Sequence, residues 1–389
     1  MESSAASELA RELAALREEL VADLGDDERA HFAKMSRWGR ACTALGYATA
    51  WIAPNPVSAA LLSLGTTARW TIVAHHTSHR GMDKVPGGPR STTFAKGWRR
   101  WVDWLDWMSP EAWAYEHNSL HHYRTGEEAD PDLLERNLEA FRSSDMPRAV
   151  KWAVVGFYAC TWRLTYYAPS TWQVLRRAEN QRKAKRGEPH EEVPLHSPHV
   201  AEADPRTPHG RAFLRSLAPY AFTRFVAAPA AFLPLGPWAA GSVLANTVAA
   251  EVLTNLHTFA IIVPNHAGDD VVRFDEAGHD RDEFAVRQIV GSVNYTGGTD
   301  ISDFLQGFLN YQIEHHLWPD LPPLTYRKAQ PRVQALCEKY GVPYVIEGLG
   351  ARIRKMLAIA VGDASMKRAA DARPLARAPV RHAMAEQAL

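Results

Sequence analysis

The chain has 389 residues, with 44 Lys and Arg balanced by 44 Asp and Glu, and with 17 His, 13 Trp and three Cys. A neutral balance gives no global basic field, which removes the main electrostatic signature of nucleic-acid binding. Cys42, Cys160 and Cys337 are too scattered for a disulfide framework, a zinc ribbon or an iron-sulfur cluster. A mean hydropathy of -0.30 excludes a carrier made almost wholly of membrane spans and points to a mixed chain, part membrane and part aqueous.

In chain order, residues 1–37 hold an amphipathic helix and no signal peptide. Leu9, Leu13, Leu16, Leu20 and Leu24 mark one helical stripe on a segment carrying Glu12, Glu18, Glu19 and Asp23. This predicts a cytosolic helix that docks one face and ends at Gly25. Residues 41–68 carry no formal charge and are broken by Pro54, Asn55 and Pro56, the turn of a helical hairpin. Two spans fit at about residues 38–53 and 56–75 if Arg40 and Arg69 snorkel toward the interface. Residues 216–268 carry only Arg224 and Glu251 as full charges, and Pro234, Gly236 and Pro237 divide them. This second hairpin places spans at about 213–235 and 238–263.

Between the hairpins, residues 147–173 are apolar but cut by Arg148, Lys151 and Arg163 into runs too short to cross. Crossing there would also put the basic run from Arg176 to Arg186 on the opposite side from Arg90 to Arg100, against the positive-inside tendency. The segment reads as an in-plane interfacial helix, and so do residues 98–113, where Trp98, Trp101, Trp104, Trp107 and Trp113 mix with charges. The fold class is an all-α integral membrane protein, four transmembrane helices in two hairpins, with a cytosolic helical cap holding a di-metal site. The membrane domain covers residues 38–330, a helical segment 331–362, and a flexible basic tail near anionic lipid 363–389.

Eight of the 17 histidines lie in three short clusters on the same predicted membrane face: His75, His76 and His79; His117, His121 and His122; His315 and His316. Residues i and i+4 share a helix face, so His75 with His79, and His117 with His121, can each present two imidazoles to one point. On an α-helix His122 lies about 140° from His117 and would address a second metal. Adjacent His315 and His316 would straddle two ions. Imidazole suits iron, copper, zinc and nickel, so the ligands alone do not name the metal. A zinc protease needs Glu where His76 stands. A soluble carboxylate-bridged di-iron bundle could use Glu28 with His31 and Glu276 with His279, but would leave the three clusters unexplained. A non-enzymatic metal carrier needs ionisable residues within several spans, where only Arg224, Glu251 and His257 stand out.

The motifs HHTSH at His75, HNSLHH at His117 followed by DPD at Asp130 to Asp132, and NYQIEHHLWPDLP from Asn310 resemble those of the membrane-bound fatty acid desaturases, the histidine-box di-iron group. The ordered set, with one hairpin before the first box and another between the second and third, covers roughly three quarters of the chain. The resemblance implies His75, His79, His117, His121, His122, His315 and His316 as ligands of two iron ions, with His266 in VPNH as a further one. It makes His76 a spacer residue, beside the metal or facing solvent. Asp130 and Asp132 would orient ligand imidazoles by accepting their distal N–H, an arrangement that a loop turn would equally explain. His257 and Asn255, inside the last span, are candidates for the substrate pocket.

Many relatives start the third box with His, whereas this chain has Gln312. That form is similar to front-end desaturases, and it hints at regiochemistry without fixing it. Unactivated methylenes offer no acidic proton, so a metal-oxygen oxidant is required. The resemblance implies O2-dependent insertion of a double bond into a fatty acyl lipid. It also implies a separate electron donor of ferredoxin, cytochrome b5 or rubredoxin type. Hydroxylation or triple-bond formation by the same centre stays open, as do the acyl carrier and the chain length.

Overall fold

The computed structural model describes residues 3–194, 202–278 and 281–372. They are mostly helical, with four two-residue strands. Helix α1 (Ser3–Ala22) docks by the expected stripe: Leu9, Leu13, Leu16 and Leu20 are buried in a core with Ile289, Val333 and Cys337. Each such leucine contributes roughly 1.5–3 kcal/mol.

Helices α2 (Asp26–Ala50) and α3 (Pro56–Thr67) form the first hairpin. Asn55 ends its turn by accepting the Ser58 N–H at 2.8 Å, and Pro56 opens α3 where a missing N–H costs nothing. The two helices pack closely because Gly65 lacks a Cβ, which would meet the Gly39 carbonyl at 3.0 Å. After α3 the chain winds through a π-helical turn, Ala68–Ala74, into α4 (His75–Ser78) without a break. Arg69 does not snorkel outward: its guanidinium donates to the Leu105 carbonyl.

The helix expected over residues 98–113 is broken. After α5 (Arg100–Asp103) the chain leaves helical geometry at Trp104, and α6 (Pro110–Glu116) starts afresh, capped by Ser109, whose hydroxyl accepts the Ala112 N–H at 3.1 Å. Pro110 fixes the restart, since the residue before a proline is pushed out of the α region and Ser109 is extended. The tryptophans divide accordingly: Trp98 and Trp101 are exposed, while Trp104, Trp107 and Trp113 are buried.

A second π-turn, His117–His121, leads to α7 (His122–Arg124), and two short helices follow, α8 (Leu134–Asn137) and α9 (Glu139–Arg142). Then α10 (Arg148–Trp162), the π-turn Arg163–Tyr167 and α11 (Ala168–Lys185) run as one long helix. Arg163, whose charge interrupts the apolar run, is fully buried: it donates to Glu251 at 3.1 Å and also to Asp106. The charge that pointed to the headgroup level is neutralised inside the protein.

The second hairpin joins α12 (Pro208–Phe222), extended through Thr223–Ala227 and α13 (Ala228–Ala230), to α14 (Pro237–Ile262). Its turn uses Gly236 at φ 102°, where a side chain would be strained. Asn246 of α14 locks the hairpins together, accepting the Asn55 N–H at 2.8 Å and donating to the Ala50 and Ala53 carbonyls. Two helical stretches, Pro56–Ser78 and Pro237–Asn265, are long and apolar enough to cross a bilayer. Their partners α2, charged in its first half, and α12 do not reach that standard among the described residues.

The cap holds β1 (Val272–Arg273), α15 (Arg281–Val290), β2 (Asn294–Tyr295), α16 (Asp300–Leu305), α17 (Gln312–Leu317), α18 (Pro323–Tyr340), β3 (Ile346–Glu347), α19 (Leu349–Val361) and β4 (Lys367–Arg368). β2 pairs in parallel with β3, and β1 with β4. The start of the expected flexible tail is therefore structured. Met366 is buried and residues 367–368 form a strand, because the backbone next to β1 supplies partners; residues 373–389 of the tail lie outside the described residues.

Candidate metal centre

The three histidine clusters converge. Ring nitrogens of His75, His79, His117, His122 and His315 lie within 4.8 Å of one another, and those of His121, His266 and His316 form a second such group. His315 and His316 thus face different groups, as adjacent residues on a helix should. His117, His121 and Asp132 make a third, overlapping group.

The π-turn redistributes the second cluster. An α-helix would pair His117 with His121 and send His122 elsewhere. Here the His122 N–H reaches back to the His117 carbonyl, an i to i+5 bond, so His117 and His122 share a face and both enter the five-histidine group. His121 turns to His266 and His316, with ring centroids at 4.8 and 5.1 Å. The His75 N–H likewise bonds the Trp70 carbonyl across the earlier π-turn.

One nitrogen of most rings is anchored from outside, which frees the other. The Nδ1–H of His75 donates to the Thr71 carbonyl (3.3 Å), that of His266 to Gly291 (3.0 Å), and that of His121 to Asp130 Oδ1 (2.9 Å). His315 Nδ1 donates to the Tyr326 hydroxyl (3.2 Å) and His316 Nδ1 to Gln288 Oε1 (2.9 Å). This pattern fixes the tautomer and aims Nε2 inward, as in metal sites.

The inward nitrogens fit a cation. Nε2 of His79, His122, His315 and His316 is buried without a partner among the described residues. His75 Nε2 faces His117 Nε2 at 3.0 Å. Burial first, then repulsion from neighbouring rings, holds His79, His117, His122, His315 and His316 well below the ordinary imidazole range, and His266 down to about 3. They are neutral and carry lone pairs. His121 differs: burial opposes its charge, but Asp130, helped by Asp132, raises its pKa.

The other expected residues take varied places. His76 is not solvent-facing: it is buried, donates to the Ile72 carbonyl at 2.9 Å, and packs its ring against His315. The amide nitrogen of Gln312 donates to His266 Nε2 at 3.0 Å. Asp130, besides holding His121, accepts the N–H groups of Gly126 and Asp132 at 2.9 Å, so the loop turn and the imidazole contact coexist. Asp132 lies beside Glu116; burial, then repulsion from Asp132 and Asp130, raises Glu116 well above the carboxylate range, and burial with repulsion from Asp130, opposed by His121, raises Asp132 to about 6. Glu28 and His31 are engaged elsewhere, with Lys328 and Asp300.

A cavity of about 1090 Å³ opens beside the histidines. His75, His117, His121, His266 and Gln312 line one part; Trp70, Phe141, Val155, Tyr158 and Phe259 line another. Neither His257 nor Asn255 is among its lining residues. His257 donates to the Leu305 carbonyl at 2.7 Å, and Asn255 accepts the Arg163 N–H at 3.0 Å, so both tie α14 to its neighbours. Sequence reasoning missed Gln288 and Tyr326, which reach His316 and His315 only through tertiary packing, and also Glu116 and Thr125, which flank the second cluster but carry no motif.

Helical hairpins under a cap, with eight imidazoles gathered beside a largely apolar cavity, define a class of helical proteins whose histidine-rich site could hold metal ions. The profile of the fatty acid desaturase family matches residues 50–348, and the chain belongs to that family. It is 27% identical over 241 residues to the NADPH-dependent stearoyl-CoA 9-desaturase of Mycobacterium tuberculosis, covering 61% of this chain and 52% of that protein. It is 32% identical over 127 residues to the acyl-lipid (8-3)-desaturase of Physcomitrium patens (32% and 26%), and 46% over 61 residues to the Delta(8)-fatty-acid desaturase of Euglena gracilis (16% and 14%). The chain thus spans about half the length of the mycobacterial relative.

Proposed function

We propose that this protein is an O2-dependent fatty acyl desaturase that holds two iron ions, one among His75, His79, His117, His122 and His315 and the other among His121, His266 and His316. The observation that carries the reading is the meeting of these inward-facing nitrogens with an apolar cavity. Iron bound there supplies the redox chemistry by which O2 takes two hydrogens from adjacent methylenes, with two of the four electrons drawn from substrate and two from a separate donor protein of ferredoxin, cytochrome b5 or rubredoxin type.

The chain's own residues position and exclude. Asp130, Gln288, Tyr326 and the Gly291 carbonyl hold the rings in orientation. Trp70 and Trp113 wall the cavity against water, and Trp113 stacks on His117 with centroids 4.6 Å apart. Burial of the acyl tail supplies affinity at roughly 0.8 kcal/mol per CH2, and its depth selects the carbons that meet the site. Four crossings in two hairpins, with the site on the cytosolic face, complete the proposal. Exposed Leu244, Val248, Val252 and Leu256 form an outward apolar stripe on α14 suited to lipid, and the basic residues of α11 favour a cytosolic cap.

The test is to supply iron-loaded protein with a reductase system, O2 and acyl substrates, and to analyse products by mass spectrometry. Loss of two hydrogens per chain, dependent on O2, is expected. An added oxygen atom would establish hydroxylation instead, and no change with any acyl substrate would overturn the reading.

A further inference from the structure

The long helix formed by α10 and α11 lines the cavity with one stripe. Val155, Tyr158, Trp162, Tyr166, Ser170 and Arg177 recur at intervals of three or four residues or their sums and all face it. From Val155 to Arg177 is 22 residues, which at 1.5 Å each is roughly 33 Å of helix. The stripe is polarised. Toward the end of α11 it presents Gln173, Arg177 and Gln181; toward the start of α10 it presents Val154, Val155 and Tyr158, with the histidines lining the cavity as well. A chain with one polar and one apolar end has a single favourable direction in such a groove.

The apolar end is bordered by a part of the chain outside the matched family region. Helix α19 begins at Leu349, just after residue 348, and packs against α10. Its Ala360 is buried, lines the cavity, and clusters with Val155 and Val361 beside Leu138, Phe141 and Phe259. A side chain ending at Cβ here leaves space that any larger one would take.

Resting on the acyl-substrate reading above, we infer that α19 receives the methyl end of the acyl chain, with Ala360 and Val155 as specificity-determining residues that set the longest chain accepted. One methylene more or less in an apolar pocket is worth roughly 10-fold or more in discrimination.

The experiment measures equilibrium binding of saturated acyl chains of graded length to the iron-loaded protein in detergent, by displacement of a fluorescent fatty acid, with no turnover involved. Ala360→Leu is expected to lower the ratio of affinity for the longest to the shortest chain by about tenfold. Val155→Ala is expected to raise it, and this variant keeps the test decisive should Ala360→Leu fail to fold. An unchanged ratio in the folded variants, or a uniform loss at all lengths, overturns the assignment of α19. Failure to make double bonds with length discrimination intact would overturn the desaturase reading while leaving the cavity assignment standing.

Discussion

Asp130 supports the site without being one of its proposed ligands. Its carboxylate takes the Nδ1–H of His121 and two backbone N–H groups, so the ring that reaches His266 and His316 is held by the loop after the second histidine cluster. Asp130→Asn keeps the shape and removes the charge. A 10- to 100-fold loss of metal affinity, measured by chelator competition, is expected; unchanged affinity would remove Asp130 from the support of the site. At this scale much was legible: each ring of the two groups, except His266, lies in a short motif, and His266 followed from the family resemblance. Gln288 and Tyr326 were not, because only packing of α15 and α18 beside α17 brings them to His316 and His315.

Elements contribute through their faces and their irregular turns. The leucine stripe of α1 predicts that Leu16→Ala costs about 2–5 kcal/mol in denaturation experiments, while Glu18→Ala on the exposed face stays within about 0.5 kcal/mol. Arg163, at the turn between α10 and α11, balances Asp106 and Glu251. Arg163→Met should destabilise by about 3–5 kcal/mol, since it leaves buried carboxylates uncompensated; near-wild-type stability would show that water enters that cluster. The stripe and the turns at Asn55 and Gly236 were readable from spacing and from Pro and Gly. The π-turns were not, because a one-residue widening leaves no compositional mark, and the i, i+4 rule consequently sent His122 to the wrong partners.

In the whole molecule, distant segments are tied at Asp300. It pairs with Lys34 of α2, Arg327 of α18 and His31. Its hydrogen bond from Lys34, more than the opposing burial, and then Arg327 hold the carboxyl down to about 2. A depressed carboxylate stabilises above its ordinary pKa near 4 and loses that contribution as pH falls toward 2. Asp300→Asn should therefore flatten the acid limb of the stability profile by at most about 1 kcal/mol, the scale of a partly exposed pair. The hairpin order could be inferred from charge-free runs. The cavity and the part α19 takes in it could not, since they arise from segments far apart in sequence.

On the function proposed above, the eight gathered imidazoles hold two irons. Saturating the purified protein with ferrous ion without oxygen, removing the excess and counting metal per chain tests it most directly. Two irons per chain are predicted, with fewer after His316→Ala; a saturated protein that retains zinc, only a single ion or no metal at all would overturn that assignment.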